Sequence, residues 1–402
     1  MTNLPQGWKM ETLGEILSSD KYSIKRGPFG SALKKSFFVE KGIRIFEQYN
    51  PINNDPHWKR YFISHEKFQE LEAFKATEGD LLISCSGTLG KIVELPKDTE
   101  MGIINQALLK IRLNNIKILN SYFIYYFNSP IMQEKILEST LGSAIKNIAS
   151  VKILKQIEIP LPPLKEQERI VGILDESFAK IDESIKILEQ DLLNLDELMQ
   201  SALQKAFNPL KDNAKENYKL PQSWEWKSLE EISENISAGG DKPKNCTESK
   251  TAKNQIPVYA NGVNNNGLVG YTDKATIIKP SLTISARGTI GFVCIRKEPY
   301  FPIVRLISLI PCENILCLHY LYFCLNFFIA KGEGSSIPQL TIPKFKSLQI
   351  PLPPLKEQEQ IAKHLDFVFE KTKALKELYT KELKDYEELK QSLLNKAFKG
   401  KL

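Results

Sequence analysis

Amide, hydroxyl and guanidinium side chains collect in the short turns of this 402-residue chain. Arg and Lys can hydrogen-bond the edge of guanine, Asn and Gln that of adenine, and Ser either base. Side chains of these types could therefore read the bases of DNA, although turns also favour Asn and Ser for conformational reasons alone. The candidates are Gln48, Tyr49, Asn50, Ser86, Asn261, Asn264, Asn265, Asn266 and Arg287.

A second group of candidates is basic. Lys and Arg crowd one segment, residues 21–44, that contains few acidic residues, whereas the formal charge of the whole chain is only +6. Contacts with phosphate would position a protein on DNA without selecting a sequence. Solvated charge on any protein surface would give the same residue count. The candidates for phosphate contact are Lys25, Arg26, Lys34 and Lys35.

Motifs of catalysis are missing from the sequence. It has no Gly-x-x-x-x-Gly-Lys-Ser/Thr loop for a triphosphate, no Gly-x-Gly-x-x-Gly dinucleotide turn and no His-Glu-x-x-His zinc motif. It also lacks the Asn-Pro-Pro-aromatic motif with which amino-methyltransferases hold a flipped base. We therefore predict a chain that is not catalytic and binds no cofactor of its own.

One cluster of Cys and His residues could bind a metal ion. It consists of Cys312, Cys317, His319 and Cys324. When residues 118–119 are aligned with residues 315–316, the last three positions of this cluster correspond to Asn120, Tyr122 and Phe127. Because the first copy lacks metal ligands, we interpret the cluster as the packing side of a buried helix.

The sequence is duplicated. Ile-Pro-Leu-Pro-Pro-Leu-Lys-Glu-Gln-Glu occupies residues 159–168 and again 350–359, and Lys-Ala-Phe follows at the same interval in both copies, at 205–207 and 396–398. Leu-Pro-Gln-x-Trp opens each copy, at residues 4 and 220. The chain thus repeats one plan, in which a globular segment of variable length precedes a helical segment of constant length.

The constant segments have the pattern of long coiled-coil helices. Residues 164–207 follow two prolines, which suit a helix start, and their apolar residues keep a 4-3-4-3 spacing. Residues 356–398 keep the same register but place Thr372 and Lys376 on the apolar seam, which predicts looser pairing there. An antiparallel pair of these two helices is the economical arrangement. Separate helices that dock on other subunits are the alternative.

The globular segments are rich in short β-type runs separated by Gly, Asn and Pro. A strand at residues 80–84 leads into a glycine turn at 87–90, and a strand at 282–285 leads into one at 288–291, with a further β-type run, so a strand–glycine turn–strand unit recurs; each globule ends in an aromatic helical stretch. We predict α+β globules with a mostly antiparallel sheet. The predicted divisions are globule one at 1–158, helix one at 159–208, a linker with globule two at 209–349, and helix two at 350–402.

Composition predicts a cytoplasmic protein that does not contact membranes. The first ten residues lack a secretory pattern, and the longest apolar stretch, residues 315–330, is too short to span a bilayer. The six cysteines are scattered, which argues against a disulfide scaffold.

The duplicated Pro-rich motif at the head of a long helix, together with the Ser-Gly-Thr-Leu-Gly turn at residues 86–90, resembles the specificity subunit of type I restriction–modification enzymes. The resemblance covers essentially the whole chain. Residues 27–31, 104–106 and 258–262 are also similar to stretches of that family's target-recognition domains. Copy two lacks an equivalent of Gly27-Pro28-Phe29-Gly30, so the globules are expected to read different sequences.

The resemblance implies two β-rich target-recognition domains, joined by two long antiparallel coiled-coil helices with a pseudo-twofold internal repeat. Each domain would read one half of a bipartite site in double-stranded DNA. The helices would set the spacing and dock two methyltransferase subunits, which bring S-adenosylmethionine, and a motor–nuclease subunit, which brings ATP and Mg²⁺. No catalytic residue is expected in this chain.

Two other functions stay open from the sequence. One is the recognition subunit of a related two-target system whose partner fuses methyltransferase and nuclease. The other is a coiled-coil adaptor for protein partners, which would show no salt-sensitive affinity for DNA.

Overall fold

The computed structural model describes residues 4–138, 148–207, 220–329, 332–333 and 340–402. The chain divides into two compact units, Met1–Leu188 with Lys381–Leu402 (unit one) and Glu189–Thr380 (unit two). Each unit holds one globule and a part of both long helices. The division of the sequence after residues 158, 208 and 349 stays a prediction, and residue 208 lies outside the described residues.

Unit one contains globule one. Its strands are β1 (Lys9–Thr12), β2 (Ile24–Arg26), β3 (Phe38–Val39), β4 (Ile43–Phe46), β5 (Phe62–Ile63), β6 (Lys75–Ala76), β7 (Leu81–Ser84), β8 (Ile92–Glu94), β9 (Gly102–Ile104), β10 (Leu108–Ile111) and β11 (Glu158–Leu161). Its helices are α1 (Tyr49–Ile52), α2 (His65–Glu70), α3 (Asn120–Phe127), α4 (Pro130–Glu138), α5 (Val151–Leu154) and the first part of α6 (Leu164–Phe207). Single 3₁₀ turns lie at Leu13–Ile16, Gly30–Ala32, Lys35–Phe37 and Glu72–Phe74.

The strands of globule one form two main sheets and a small ribbon. One sheet has the order β2-β10-β7-β8 and is antiparallel throughout, and the other has the order β3-β5-β4-β9-β6 with a parallel β4–β9 pair. Strands β1 and β11 pair at the entrance to α6. The rings of Tyr122 and Phe123 on α3 are fully buried against the first sheet, so the aromatic stretch is the core helix of this globule.

Unit two contains globule two. Its strands are β12 (Glu225–Ser228), β13 (Ser233–Ala238), β14 (Ile256–Tyr259), β15 (Leu268–Thr272), β16 (Ser281–Ile284), β17 (Thr289–Ile290), β18 (Val293–Arg296), β19 (Phe301–Pro302), β20 (Ile307–Pro311), β21 (Gly332–Glu333) and β22 (Gln349–Leu352). Its helices are α7 (Leu229–Ile232), α8 (Leu318–Phe328), α9 (Ile342–Lys346) and the first part of α10 (Leu355–Ala397), and a 3₁₀ segment lies at Asn264–Gly267.

Globule two repeats the plan of globule one. The sheet order β13-β20-β16-β18 matches β2-β10-β7-β8, and the ribbon β12-β22 matches β1-β11. The second sheet is smaller, with the order β15-β14-β19, and it keeps the parallel pair between β14 and β19. The predicted strand–glycine turn–strand units are confirmed as the antiparallel pairs β7–β8 and β16–β18.

A buried glutamine from the duplicated motif joins each long helix to its globule. The Gln167 amide donates to the carbonyls of Lys117 and Pro162, at 3.0 and 2.9 Å, and its oxygen accepts from Leu119 N at 2.9 Å. Gln358 repeats these three bonds in unit two, with the residues Ile315, Pro353 and Cys317. Both glutamines are fully buried, so their amides satisfy backbone groups that would otherwise lose their partners.

The two long helices pair antiparallel, as predicted. In unit one, Lys390 of α10 forms an ion pair with Asp182 of α6, and in unit two Lys376 pairs with Asp196. The looser pairing at Thr372 and Lys376 stays a prediction. Thr372 is 1% exposed, and its hydroxyl donates to the carbonyl of Val368 at 2.7 Å. The backbone satisfies the hydroxyl, so Thr372 can lie inside the seam.

The repeated Lys-Ala-Phe segment explains how each helix ends. Phe398 at the end of α10 packs edge-on against the rings of Tyr122 and Tyr126 in unit one. Phe207 at the end of α6 makes the corresponding contacts with Tyr320 and Phe327 in unit two. The end of α10 thus lies in the core of globule one, and the end of α6 lies in the core of globule two.

The Cys and His residues near α8 have other contacts. Cys324 lies in the core, Cys317 N donates to Gln358, and His319 Nδ1 lies 2.8 Å from Asp366 Oδ2. Among the described residues, no group of three or more His, Cys, Asp or Glu side chains could hold a metal ion. None of the helices within the described residues is both long enough and apolar enough to cross a membrane.

The alignment used for that cluster was shifted by one residue. The bonds of Gln167 and Gln358 place Leu119 opposite Cys317, and the hydroxyls of Tyr122 and Tyr320 donate to equivalent carbonyls. The residues at the last three cluster positions are therefore Leu119, Ser121 and Tyr126, which also offer no set of metal ligands.

Candidate nucleic-acid interface

Four loops of globule one meet in a continuous row, which we call rim one: residues 27–29, 47–50, 85–90 and 105–107. Gly27 lies so close to loop 105–107 that an added Cβ would stand 1.8 Å from the Asn105 carbonyl oxygen. Cys85 N donates to Ala107 O at 2.8 Å, and Ser86 Oγ donates to Gln48 Oε1 at 3.3 Å. The fold therefore brings the predicted residues Gln48 and Ser86 together.

Four loops of globule two form a corresponding row, rim two: residues 239–240, 260–267, 285–288 and 303–305. Asn261 is its central residue, because its oxygen accepts from Ala286 N at 2.8 Å and its amide donates to Val304 O at 2.5 Å. Val304 N in turn donates to Gly240 O at 2.8 Å. Asn261 therefore uses both ends of its side chain to hold loops in place.

The two rims are equivalent in the repeat. Ser84 N donates to Lys91 O and Ser285 N to Phe292 O, both at 2.9 Å, so Ser86 and Arg287 occupy the same turn position. In the same way, Asn105 N donates to Phe46 O, and Ile303 N donates to Tyr259 O. This equivalence places Gln48 opposite Asn261. Two pairs of candidate residues, Gln48 with Asn261 and Ser86 with Arg287, thus occupy matching positions in the two globules.

The asparagine run of rim two is exposed on a rigid turn. Asn264, Asn265 and Asn266 are solvent-exposed, and the last two adopt positive φ angles of 51° and 52°, which Asn tolerates. Buried Arg296 supports this turn: its Nη2 donates to Asn266 O at 2.5 Å, and its guanidinium carbon lies 3.5 Å from the centre of the Tyr259 ring. The amides are therefore presented to solvent on a supported backbone.

Asn50 is a correction to the predicted base readers. Its side chain is fully buried, its oxygen accepts from Glu47 N at 2.9 Å, and its amide donates to the carbonyls of Asp55 and Trp58. It shapes the loop that follows β4 and cannot reach a base. Tyr49 beside it is 42% exposed and stacks on the Trp58 ring at 4.3 Å, so this loop presents an aromatic surface instead.

The residues predicted to contact phosphate differ in their surroundings. Lys34 and Lys35 are exposed near a 3₁₀ turn. Lys25 and Arg26 are neighbours on β2, so their side chains point to opposite faces of the sheet. The Lys25 ammonium lies over the rings of Tyr22 and Phe74, at 5.4 and 5.2 Å. The phosphate contacts of Lys25 and Arg26 stay predictions.

Burial shifts the pKa of Arg44, near rim one, and of Cys85, within it. Arg44, at the end of the basic segment, is 3% exposed and donates to the carbonyls of Pro56 and Trp58, so it is structural. Burial lowers its pKa, although nearby Glu100 and Asp55 oppose the shift. Burial also raises the pKa of the Cys85 thiol to about 11, which keeps it neutral and unreactive.

Copy two does have a counterpart of Gly27, which sequence comparison missed. Gly27 N donates to Leu108 O and Gly239 N donates to Leu306 O, at 2.9 and 2.8 Å. A Cβ on Gly239 would stand 2.6 Å from Ile303 N. Both glycines permit the same close approach of two loops. The signal was present as Gly239-Gly240 at the end of a β-type run, but the flanking residues differ.

The same fold occurs in solved structures. A chain in a structure of the type I restriction–modification system matches at a TM-score of 0.80, with 20% identity and full coverage of both chains. The HsdS subunit from Thermoanaerobacter tengcongensis matches at 0.63, with 20% identity, over 99% of this chain and 98% of that one. These chains therefore share the fold of this one, in which two similar α+β globules are combined with a pair of long antiparallel helices.

Relatives are also found by sequence. S.MpnORF507P of Mycoplasma pneumoniae, provisionally described as a type I specificity subunit, is 33% identical over 221 residues, which cover 54% of this chain and 56% of the relative. The specificity subunit of the type I restriction enzyme MjaVIII from Methanocaldococcus jannaschii is 25% identical over 358 residues, covering 81% and 79%. The chain thus spans little more than half the length of the first of these relatives.

The family model for the type I restriction modification DNA specificity domain matches this chain twice, at residues 5–192 and 221–385. The chain belongs to this family. Both matches contain a globule with its rim and most of the following helix, so the family assignment holds for both copies of the repeat.

Proposed function

We propose that this chain is the sequence-specific DNA-recognition subunit of a type I restriction–modification complex, in which each globule reads one half of a bipartite site. The observation that carries the proposal is the double match to the specificity domain, with a rim of equivalent loops in each half. The rims share their backbone bonds but carry different side chains, as two readers of different half-sites require.

The remaining parts of the chain have supporting roles in this proposal. Exposed Lys34 and Lys35 contact phosphates and position globule one. The paired helices α6 and α10 set the spacing of the half-sites and dock two methyltransferase subunits and a motor–nuclease subunit. The chain itself is not catalytic and acts in the cytoplasm. S-Adenosylmethionine, ATP and Mg²⁺ are bound by the partners.

Exchange of one globule tests the proposal directly. The full chain is coexpressed with its cognate methyltransferase, and methylated adenines are mapped across the host genome. Replacing residues 220–349 by the corresponding segment of another family member should change one half of the methylated sequence and leave the other half unchanged. A change in both halves, or a site without two parts, contradicts the proposal.

The spacer role has a separate test. Adding matched helical turns to α6 and α10 should lengthen the gap between the half-sites without changing either half. A four-residue insertion in one helix alone should abolish methylation by the complex, because it breaks the register of the apolar seam between the helices. An unchanged gap in the matched variant contradicts the spacer role only, since the globules would still read their half-sites.

A further inference from the structure

One turn is common to both rims and carries no residue predicted from sequence to contact DNA. It follows the second strand of the parallel pair, at residues 105–107 after β9 and 303–305 after β19. Leu108 N donates to Asn105 O at 3.2 Å, and Leu306 N donates to Ile303 O at 3.1 Å. Turn 105–107 and turn 303–305 therefore correspond residue by residue, with Gln106 opposite Val304 and Ala107 opposite Arg305.

The backbone of each turn is fixed while its central side chains face solvent. In rim one, the Ala107 carbonyl accepts from Cys85 N, and Gln106 is exposed. In rim two, Arg305 N donates to Gly239 O at 2.8 Å, and both Val304 and Arg305 are exposed. The neighbouring loops thus support the turn, and the polar ends of Gln106 and Arg305 are available to a ligand.

Turn 303–305 is also strained. Val304 and Arg305 adopt φ angles of 52° and 59°, in the left-handed region that a β-branched residue such as valine rarely occupies. The Asn261 amide holds the Val304 carbonyl in this conformation. Val304 is 51% exposed, so the strain does not serve packing of the core. Strained backbone of this kind is concentrated at functional sites, where it aims particular side chains.

We propose that turn 105–107 and turn 303–305 determine specificity: Gln106 contacts a base edge in the half-site of globule one, and Arg305 contacts one in the half-site of globule two. The glutamine amide suits adenine and the guanidinium suits guanine. Asn261 is a positioning residue that acts through turn 303–305. This inference rests on the proposed function, because it assumes that the rims face DNA.

The test uses the full chain coexpressed with its methyltransferase and the same genome-wide mapping. Gln106→Ala should relax one base position in one half-site, and Arg305→Ala one position in the other half-site. Each should weaken binding of the purified complex to its cognate duplex by about 5- to 150-fold. Lys297→Ala removes an exposed cation outside the rims and should change neither the methylated sequence nor the affinity.

The positioning role of Asn261 has its own readout. Asn261→Ala should relax the same base position as Arg305→Ala, and the double variant should relax it no further. Loss of structure alone would instead lower the affinity for every sequence and add to the effect of Arg305→Ala. Thermal unfolding of each variant separates these outcomes, and Arg305→Lys, which keeps the charge, serves as a second variant at that position.

The possible results distinguish this inference from the proposed function. Suppose that the unaltered chain directs methylation of a two-part site and that Gln106→Ala and Arg305→Ala both keep this site at full stringency. Turns 105–107 and 303–305 then do not determine specificity, but the recognition function stands. If the unaltered chain directs no two-part methylation, the proposed function fails and this inference fails with it.

Discussion

Globules one and two are built on the same frame but differ at their rims. The four-stranded sheets share one strand order, and Gln167 and Gln358 make the same three bonds at the start of α6 and α10. The second sheet, in contrast, has five strands in globule one and three in globule two. Repetition is thus strict where a globule meets its helix and weaker in the second sheet and in the side chains of the rims.

This difference separates residues that stabilise a globule from residues available for recognition. The frame residues are buried and bonded to the backbone of their own unit. The exposed rim residues, in contrast, stand on turns that other side chains support, as Asn264, Asn265 and Asn266 illustrate. Substitutions in the frame should therefore lower stability without changing specificity. Substitutions of exposed rim residues should change specificity without lowering stability.

The largest effect is expected at the buried glutamines. Gln167→Leu removes the partners of three backbone groups and should destabilise unit one by about 3–5 kcal/mol. Gln358→Leu should do the same to unit two. Hydrogen exchange of the full chain measures this, with loss of protection expected in β10 for the first variant and in β20 for the second.

Glu168→Ala and Glu359→Ala are matched controls, because these neighbours of the glutamines are exposed. They should leave the protection of both strands unchanged. Equal loss of protection in the two units from Gln167→Leu alone would show that the frames are not independent.

An intermediate effect is expected at Arg287 of rim two. Arg287→Ala should cost about 1–3 kcal/mol of binding free energy on the cognate half-site and leave binding to unrelated sequences nearly unchanged. Competition binding with duplexes that alter one half-site at a time measures the difference. Unaltered binding to the cognate duplex would remove Arg287 from the reading residues.

Lys34 and Lys35 provide the contrasting case in globule one. Replacing both by Ala should weaken binding to all sequences alike and reduce the slope of log affinity against log salt by about one for each lost phosphate contact. A salt titration of the purified complex measures the slope. A change in the methylated sequence would instead place these lysines among the reading residues.

The smallest effect concerns the helices. Thr372 is buried in the seam, and its hydroxyl bonds to a carbonyl of its own helix, so Thr372→Val leaves no backbone group without a partner. We expect a gain of about 0.5–1 kcal/mol from the added apolar contact. Thr380 makes the same bond to Lys376 but is exposed, so Thr380→Val should be neutral. Urea unfolding of both variants tests the comparison.

Local sequence patterns predicted the frame well. The 4-3-4-3 spacing predicted both long helices, their antiparallel pairing was predicted as the economical arrangement, and the glycine turns predicted the β7–β8 and β16–β18 pairs. The same patterns did not distinguish polar residues that hold a loop in place from polar residues that face solvent. Asn50 and Asn264 both lie near turns, yet Asn50 bonds its own loop and is fully buried while Asn264 is exposed.

The amino-acid sequence by itself determined the duplication, the coiled-coil helices and the family resemblance, because these depend on periodicity and on repeated motifs. Only the tertiary structure decided which turns form a rim. Contacts such as Gly27 with Asn105, or Asn261 with Val304, join residues far apart in the chain. Burial and pairing between distant loops determine whether a polar side chain supports the backbone or faces a ligand, and no local pattern encodes that choice.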